Sequence, residues 1–243
     1  MSFLSRITHA PRLESSELET LEQIDAFIDS RALEYPSKIE DDFVDRALGL
    51  GVESGMILDV GTRIGLIPLK MLWKNESLYA IGIDKSGMLV ERARETAQAW
   101  DLGERAFFQV GDARKMRLKT AYFDLVISDS SLHVFDDPLS VMREINRVLK
   151  PKGGLLIREW IRPSRMQMQR TIEQYSVMFG ARMRPHVEAA IRAAFTRAEL
   201  EALVRDSGLE RVRLYESGEH HIFIERTGES DPNSWITVRD QYT

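Results

Sequence analysis

Ile57-Leu58-Asp59-Val60-Gly61-Thr62-Arg63-Ile64-Gly65 is the stretch on which the fold turns. An apolar run too short for a helix enters a glycine-containing turn, and Leu66–Trp73 continues with apolar residues at helical spacing. A strand, a tight turn and a helix in that order put unpaired backbone N–H groups and the positive end of a helix dipole beside the turn. Glycine there lets a ligand come close to the main chain. A plain strand-to-helix connection without ligand would read the same way. Pro68 fits the helix, because in a first turn its missing N–H had no intrahelical partner to lose.

The rhythm repeats outward from this unit. Short apolar runs at Met56–Val60, Leu78–Ile83, Ala106–Val110, Phe123–Ser128 and Gly154–Glu159 alternate with amphipathic stretches at Leu66–Trp73, Met88–Trp100 and Leu139–Leu149. Continuous apolar strands separated by helices predict a parallel sheet covered on both faces. Asp84 ends the second run about twenty residues after the turn, a placement that suits a carboxylate accepting both hydroxyls of a ribose. Capping the next helix is the plainer role, and one aspartate can do both.

Further along, 163–193 reads as an arginine- and methionine-rich helical insertion. Thr196-Arg197-Ala198-Glu199 forms a capping box that opens a helix over Arg197–Ser207, with Gly208 as its C-cap. Arg211–Glu216 and His220–Glu225 read as a hairpin joined around Ser217-Gly218. Ahead of the sheet, 15–48 reads as two helices broken near Pro36. The first carries Leu18, Leu21, Ile24, Phe27 and Ile28, the second Ile39, Phe43, Val44, Ala47 and Leu48. The expected division is a helical cap over 1–50, an α/β domain over 51–226 with 160–195 as a lid, and a tail over 227–243. The tail is polar apart from Trp235, Ile236 and Val238.

Composition narrows the function classes. The chain has 243 residues, 43% hydrophobic and 29% charged, enough for one large α/β domain with a substantial core. No apolar run approaches the ~20 residues of a membrane span, and no secretory signal stands out, so no membrane partner is expected. The absence of cysteine excludes disulfides and thiolate metal sites and fits a cytoplasmic protein. A net charge of -5 argues against broad nucleic-acid binding. The charge is uneven: eleven acidic residues against five basic ones over Met1–Leu50, and eight arginines against three glutamates over Arg158–Arg197. The two segments either pair with each other, or the basic one meets an anionic substrate, or both are solvated faces.

The motifs resemble a known family. Asp59-Val60-Gly61-Thr62 through Gly65 is similar to the first motif of class I S-adenosylmethionine-dependent methyltransferases, and Gly82-Ile83-Asp84 with Met88 and Ala93 resembles the second. Phe108-Gln109-Val110-Gly111-Asp112-Ala113 resembles the family's Gly-Asp-Ala element. Phe123–Ser128, then Ser131-Leu132-His133, and then Glu144 through Lys150-Pro151-Lys152-Gly153-Gly154 complete the series in order and spacing. The resemblance implies a Rossmann-like, mostly parallel seven-stranded sheet with helices on both faces and a C-terminal antiparallel hairpin. It also implies S-adenosylmethionine as cofactor; the expectation of a small-molecule, anionic methyl acceptor comes from the arginine-rich insertion.

Residue roles follow from the same resemblance. Asp59 orients the turn and the ligand amino group, while Gly61, Thr62 and Gly65 admit the methionine end. Asp84 holds the ribose, Lys85 and Met88 flank the adenine, and Asp112 and Ala113 frame its edge. Ser128 and Asp129, at the end of the fourth strand, lie where donor and acceptor should meet. Tyr35 resembles a front-segment aromatic that touches the cofactor, with a packing role as the alternative. Arg63 departs from the family's usual glycine. It either reaches the donor carboxylate or crowds the turn if the position needs positive φ.

His133 is the candidate general base, since it follows the fourth strand and titrates near neutrality. Arg162 and Arg165, with Arg158, Arg182 and Arg184, are the candidate contacts to an anionic acceptor. Met166, Met168, Met178 and Met183 either line an apolar pocket or pack the core. No metal site is expected: His220 and His221 would point to opposite faces of one strand, and His9 and His186 are distant in sequence. An NAD-dependent oxidoreductase is the weaker alternative, because Arg63 and Leu66 stand where Gly-x-Gly-x-x-Gly spacing calls for glycine. A non-catalytic S-adenosylmethionine-binding module shares every motif and differs only in turnover.

Overall fold

Gly55–Val60 (β1) is buried along its whole length and pairs in parallel with Leu78–Asp84 (β2) on one side and Phe123–Asp129 (β4) on the other. This computed structural model describes residues 20–218 and 220–229. Leu18, His9, Trp235, Ile236 and Val238 lie outside them. Ala106–Val110 (β3) extends the sheet beyond β2, and Leu149–Trp160 (β5) pairs with β4. The hairpin Arg213–Ser217 (β6) and His221–Arg226 (β7) joins antiparallel, giving a seven-stranded sheet of order β3-β2-β1-β4-β5-β7-β6. The order reverses between β1 and β4, and this switch point opens the carboxyl edge to ligands.

Side chains alternate across β1 and fill two cores. Met56, Leu58 and Val60 face one that includes Val141, Met142, Ile145 and Val148 of α5 (Pro138–Val148) and Leu200 and Leu203 of α8 (Arg197–Ser207). Ile57 faces the other. It includes Phe43, Val44 and Ala47 of α2 (Glu34–Leu48), Leu69 and Leu72 of α3 (Leu66–Lys74), and Val90, Ala93 and Ala97 of α4 (Gly87–Ala99).

A third cluster lies over the carboxyl edge. α1 (Leu21–Arg31), α6 (Met168–Met178) and α7 (Arg184–Ala193) bury Ile24, Phe27, Ile172, Tyr175, Val187 and Ile191 together with Trp160. Met183 also packs there, whereas Met166 is 94% exposed. One ion pair ties the acidic front to the basic insertion: Arg182 Nη1 meets Asp29 at 2.7 Å. From the front segment, α2 also packs Phe43, Val44 and Ala47 into the second core.

Several boundaries depart from expectation for local reasons. The break between the first helices falls at Ala32 and Leu33, and Pro36 sits inside the first turn of α2, where it costs no hydrogen bond. Leu149 leaves α5 and starts β5, which pairs at Phe123↔Leu149 and resumes at Leu125↔Gly154 across an irregularity. The Thr196/Glu199 capping box and the left-handed Gly208 C-cap occur as expected. A second box, Thr20 with Gln23, opens α1.

Candidate active site

The turn after β1 is held by the neighbouring strand. Gly61 and Thr62 donate their N–H groups to Ile83 O at 2.9 and 3.0 Å, and Gly65 donates to Thr62 O at 2.9 Å. Arg63 donates its N–H to Asp84 Oδ2 at 2.9 Å. Those four amides are therefore used within the protein. Gly61 has φ +77, and a Cβ there would lie 2.7 Å from Ser131 Oγ, so glycine is required by the packing of the β4 exit as well as by the turn.

A cavity of about 340 Å³ opens beside this turn, lined by Gly61, Arg63, Asp84, Lys85, Met88, Leu89, Gly111, Ala113, Ser131, Val134 and Phe135, among others. Asp84 presents its carboxylate on the wall, steadied by Arg63 N on one oxygen and Ser86 N at 3.0 Å on the other. A carboxylate flanked by apolar walls fits a nucleoside: the acid accepts ribose hydroxyls and the walls cover a base.

A narrow extension of about 20 Å³ runs between Asp59, Gly61, Thr62, Arg63, Arg31, Glu40 and Asp129. Asp59 is buried and takes a hydrogen bond from Thr62 Oγ1 at 2.7 Å. Burial, with Asp129 and Asp84 nearby, pushes its carboxyl up to about 7 despite the Thr62 bond. Such a group welcomes a cation. Gly65 lines none of these cavities. Its φ of +75 starts α3, and a Cβ there would strike Phe108.

A third space, of about 90 Å³, sits under the helical roof. Phe27, Trp160, Phe179 and Met183 wall it, with Arg31, Arg63, Asp129, His133, Arg158, His186 and His221 on its polar side. Asp129 is clamped by Arg158, Nε to Oδ1 at 2.7 Å and Nη2 to Oδ2 at 2.8 Å, and Arg158 Nη1 also donates to Ile39 O at 2.6 Å. Although burial opposes it, the Arg158 charge holds Asp129 well below the usual carboxylate range.

His133 is buried beside this space, and its Nδ1 lies 2.8 Å from Glu159 Oε2. Leu132 N donates to Glu159 Oε1 at 2.6 Å. Sequence reading missed Glu159, although adjacent Arg158 and Glu159 in an otherwise apolar buried strand signalled it. The two point to opposite faces, one meeting Asp129 and the other His133. His221 also borders the space, and burial and Arg158 lower its pKa to about 3.

Five expected site residues are placed elsewhere. Tyr35 packs edge-on against Tyr175 and Phe179 at 5.7 and 5.6 Å and borders a separate groove, so its aromatic face goes to the roof. Ser128 is fully buried and donates to Val60 O at 2.9 Å, bracing β4 to β1. Asp112 turns to Arg114, Oδ2 to Nη2 at 2.9 Å, which keeps its carboxyl below the ordinary value, while Gly111 and Ala113 reach the cavity. Arg162 is spent on Ala194 O at 2.7 Å and Glu199 Oε2 at 3.1 Å, joining the insertion to α8. Arg165 is solvent-exposed and lines no described cavity.

Arg63 does adopt the positive φ in which a side chain could crowd the turn. It takes φ +51, at a cost of about 1 kcal/mol, and Arg63 N bonds Asp84 while Nη2 donates to Ser130 O at 2.7 Å. Ser130 itself has φ +50. Two strained residues thus hold each other across the switch point.

Comparison with known proteins agrees with this architecture. A methyltransferase-domain family model matches residues 58–157. The chain is 31% identical over 155 residues to the 27-O-demethylrifamycin SV methyltransferase of Amycolatopsis mediterranei, covering 63% of this chain and 53% of that protein. It is 28% identical over 158 residues to a ubiquinone/menaquinone biosynthesis C-methyltransferase of Geotalea daltonii, covering 58% and 65%. The chain therefore spans between half and two thirds of these relatives' length.

Solved structures share the fold. A SAM-dependent methyltransferase from Aquifex aeolicus superposes with TM-score 0.62 at 21% identity, over 82% of this chain and 96% of that one. Haemonchus contortus phosphoethanolamine N-methyltransferase 2 in complex with S-adenosyl-L-methionine superposes with TM-score 0.63 at 17% identity, over 88% and 46%. Residues 58–157 thus match the methyltransferase-domain family, and the chain has the class I methyltransferase fold, with its strand order and its glycine turn against Asp84.

Proposed function

We propose that the protein transfers a methyl group from S-adenosylmethionine to a hydroxyl or amine of a small-molecule acceptor held under the helical roof. The observation that carries this reading is the buried His133–Glu159 pair beside the roofed space, next to the nucleoside-shaped cavity. The relatives' names, a demethylrifamycin and a quinone methyltransferase, also point to small molecules.

Asp84 would hold the ribose, with Lys85, Met88 and Ala113 around the adenine. Asp59 and Arg63 would take the ammonium and carboxylate of the methionine end. When bound, the donor supplies an electrophilic methyl on its sulfonium, so the protein's work is alignment and proton removal. With Glu159 accepting from Nδ1–H, His133 keeps the lone pair of Nε2 for a proton from the acceptor. Leu132 N fixes Glu159, which fixes the imidazole. Phe27, Trp160, Phe179 and Met183 exclude water from the space.

Methyl transfer to a panel of small hydroxyl and amine compounds tests this in His133→Gln and Glu159→Gln. Both variants should lower kcat by ~10²–10⁴ while S-adenosylhomocysteine affinity stays unchanged. Wild-type rates in both variants would remove the base assignment. Donor binding without turnover on any acceptor would favour a binding module.

A further inference from the structure

Arg31, the last residue of α1, lines both the roofed space and the narrow extension beside Asp59. Its side chain is only 12% exposed. Its oxygen partners are distant: Nε and Nη2 lie 3.4 Å from Ser30 Oγ, and Nη1 lies 3.8 Å from Glu40, whose other oxygen is held by Lys70 at 2.6 Å. Phe27 and Phe179 cover it at 4.5 and 5.5 Å. Burial brings its pKa down to about 10, with Glu40 and Asp129 pulling it up and Arg63 and Arg158 pushing it down, so it stays charged at neutral pH.

A buried guanidinium short of close acceptors is costly until an anion completes it. The neighbouring arginines are occupied differently, Arg158 by Asp129 and Arg63 by Ser130 O. The adjoining space, about 90 Å³, is smaller than the ~150 Å³ cavity that accepts benzene.

We propose that Arg31 selects the acceptor, a small hydroxy acid without a ring, by pairing with its carboxylate while its methyl-accepting hydroxyl faces His133. The proposal rests on reading the roofed space as the acceptor site. The hydroxyl proton would pass to His133 Nε2 and the hydroxyl oxygen would form the new bond to the methyl carbon. The electrons of the broken C–S bond would stay on sulfur, and the carboxylate would remain ionised throughout.

The test is binding. S-adenosylhomocysteine-loaded wild type, Arg31→Gln and Arg31→Lys are titrated with lactate and its neutral amide, lactamide, and S-adenosylhomocysteine affinity is measured separately. Wild type should prefer the acid by about tenfold or more, Arg31→Gln should lose that preference, and Arg31→Lys should restore part of it, with S-adenosylhomocysteine affinity unmoved. Equal affinity for acid and amide, or no binding of either, overturns the proposal. So does a loss confined to S-adenosylhomocysteine affinity, which would give Arg31 to the donor carboxylate. Failure of the catalytic reading shows separately, as acid binding without methyl transfer.

Discussion

Replacing Asp59 by asparagine should change how stability depends on pH. In the fold its carboxyl sits at about 7, against 3.8 ordinarily, because burial outweighs the Thr62 bond. A raised carboxyl means that the folded state keeps a proton the unfolded chain has lost. The stabilisation is fully present below the unfolded value and disappears as pH rises through the folded one. A displacement of that size corresponds to ~4 kcal/mol between acid and mildly alkaline conditions. Asparagine cannot titrate but can still accept from Thr62, so the variant should lack that fall. Urea unfolding of both proteins at intervals from about pH 5 to about pH 8.5 reads it directly, since every other titration cancels in the difference. The variant should gain on wild type by ~2–3 kcal/mol over that window, less than the full amount because part of the fall lies below it. A flat difference would refute the argument that burial sets the protonation of Asp59. The donor ammonium should pull the proton off, so donor binding near neutrality should release protons in wild type and not in the variant.

Two further substitutions follow from the packing. Asp129→Ala leaves the buried Arg158 guanidinium without its carboxylate and should cost ~3–5 kcal/mol in urea unfolding; a loss under ~1 kcal/mol would show that the pair is not needed. Gly82→Ala places a Cβ 2.5 Å from both Phe108 Cδ1 and Thr62 Oγ1, so it should cost ~1–3 kcal/mol and weaken donor binding through Thr62 and Asp59, which calorimetry would show.

The parallel sheet was legible because its apolar runs are continuous and the turn residues sit where strand becomes helix. Asp84 was legible because the end of β2 is set by local spacing. What escaped was long-range. Nothing near Ser128 says that it braces Val60 O, whereas the arginine that turns Asp112 stands only two residues on, at Arg114. Arg162 looked available because its partners, Ala194 O and Glu199, come together only when the insertion meets α8. Arg31 gave no sign of its burial, since Phe179 arrives from the turn after α6, far along the chain. Glu159 was readable in principle: a carboxylate inside an apolar strand needs a partner, and His133 was already in view.

The most direct test of the whole account is calorimetry with S-adenosylhomocysteine on the full chain and on Asp84→Ala. Wild type should show one saturable site and the variant a loss of about tenfold or more, if the carboxylate beside the glycine turn holds the ribose as proposed. Folded wild type that gives no binding heat, or a variant that binds as tightly, would contradict it.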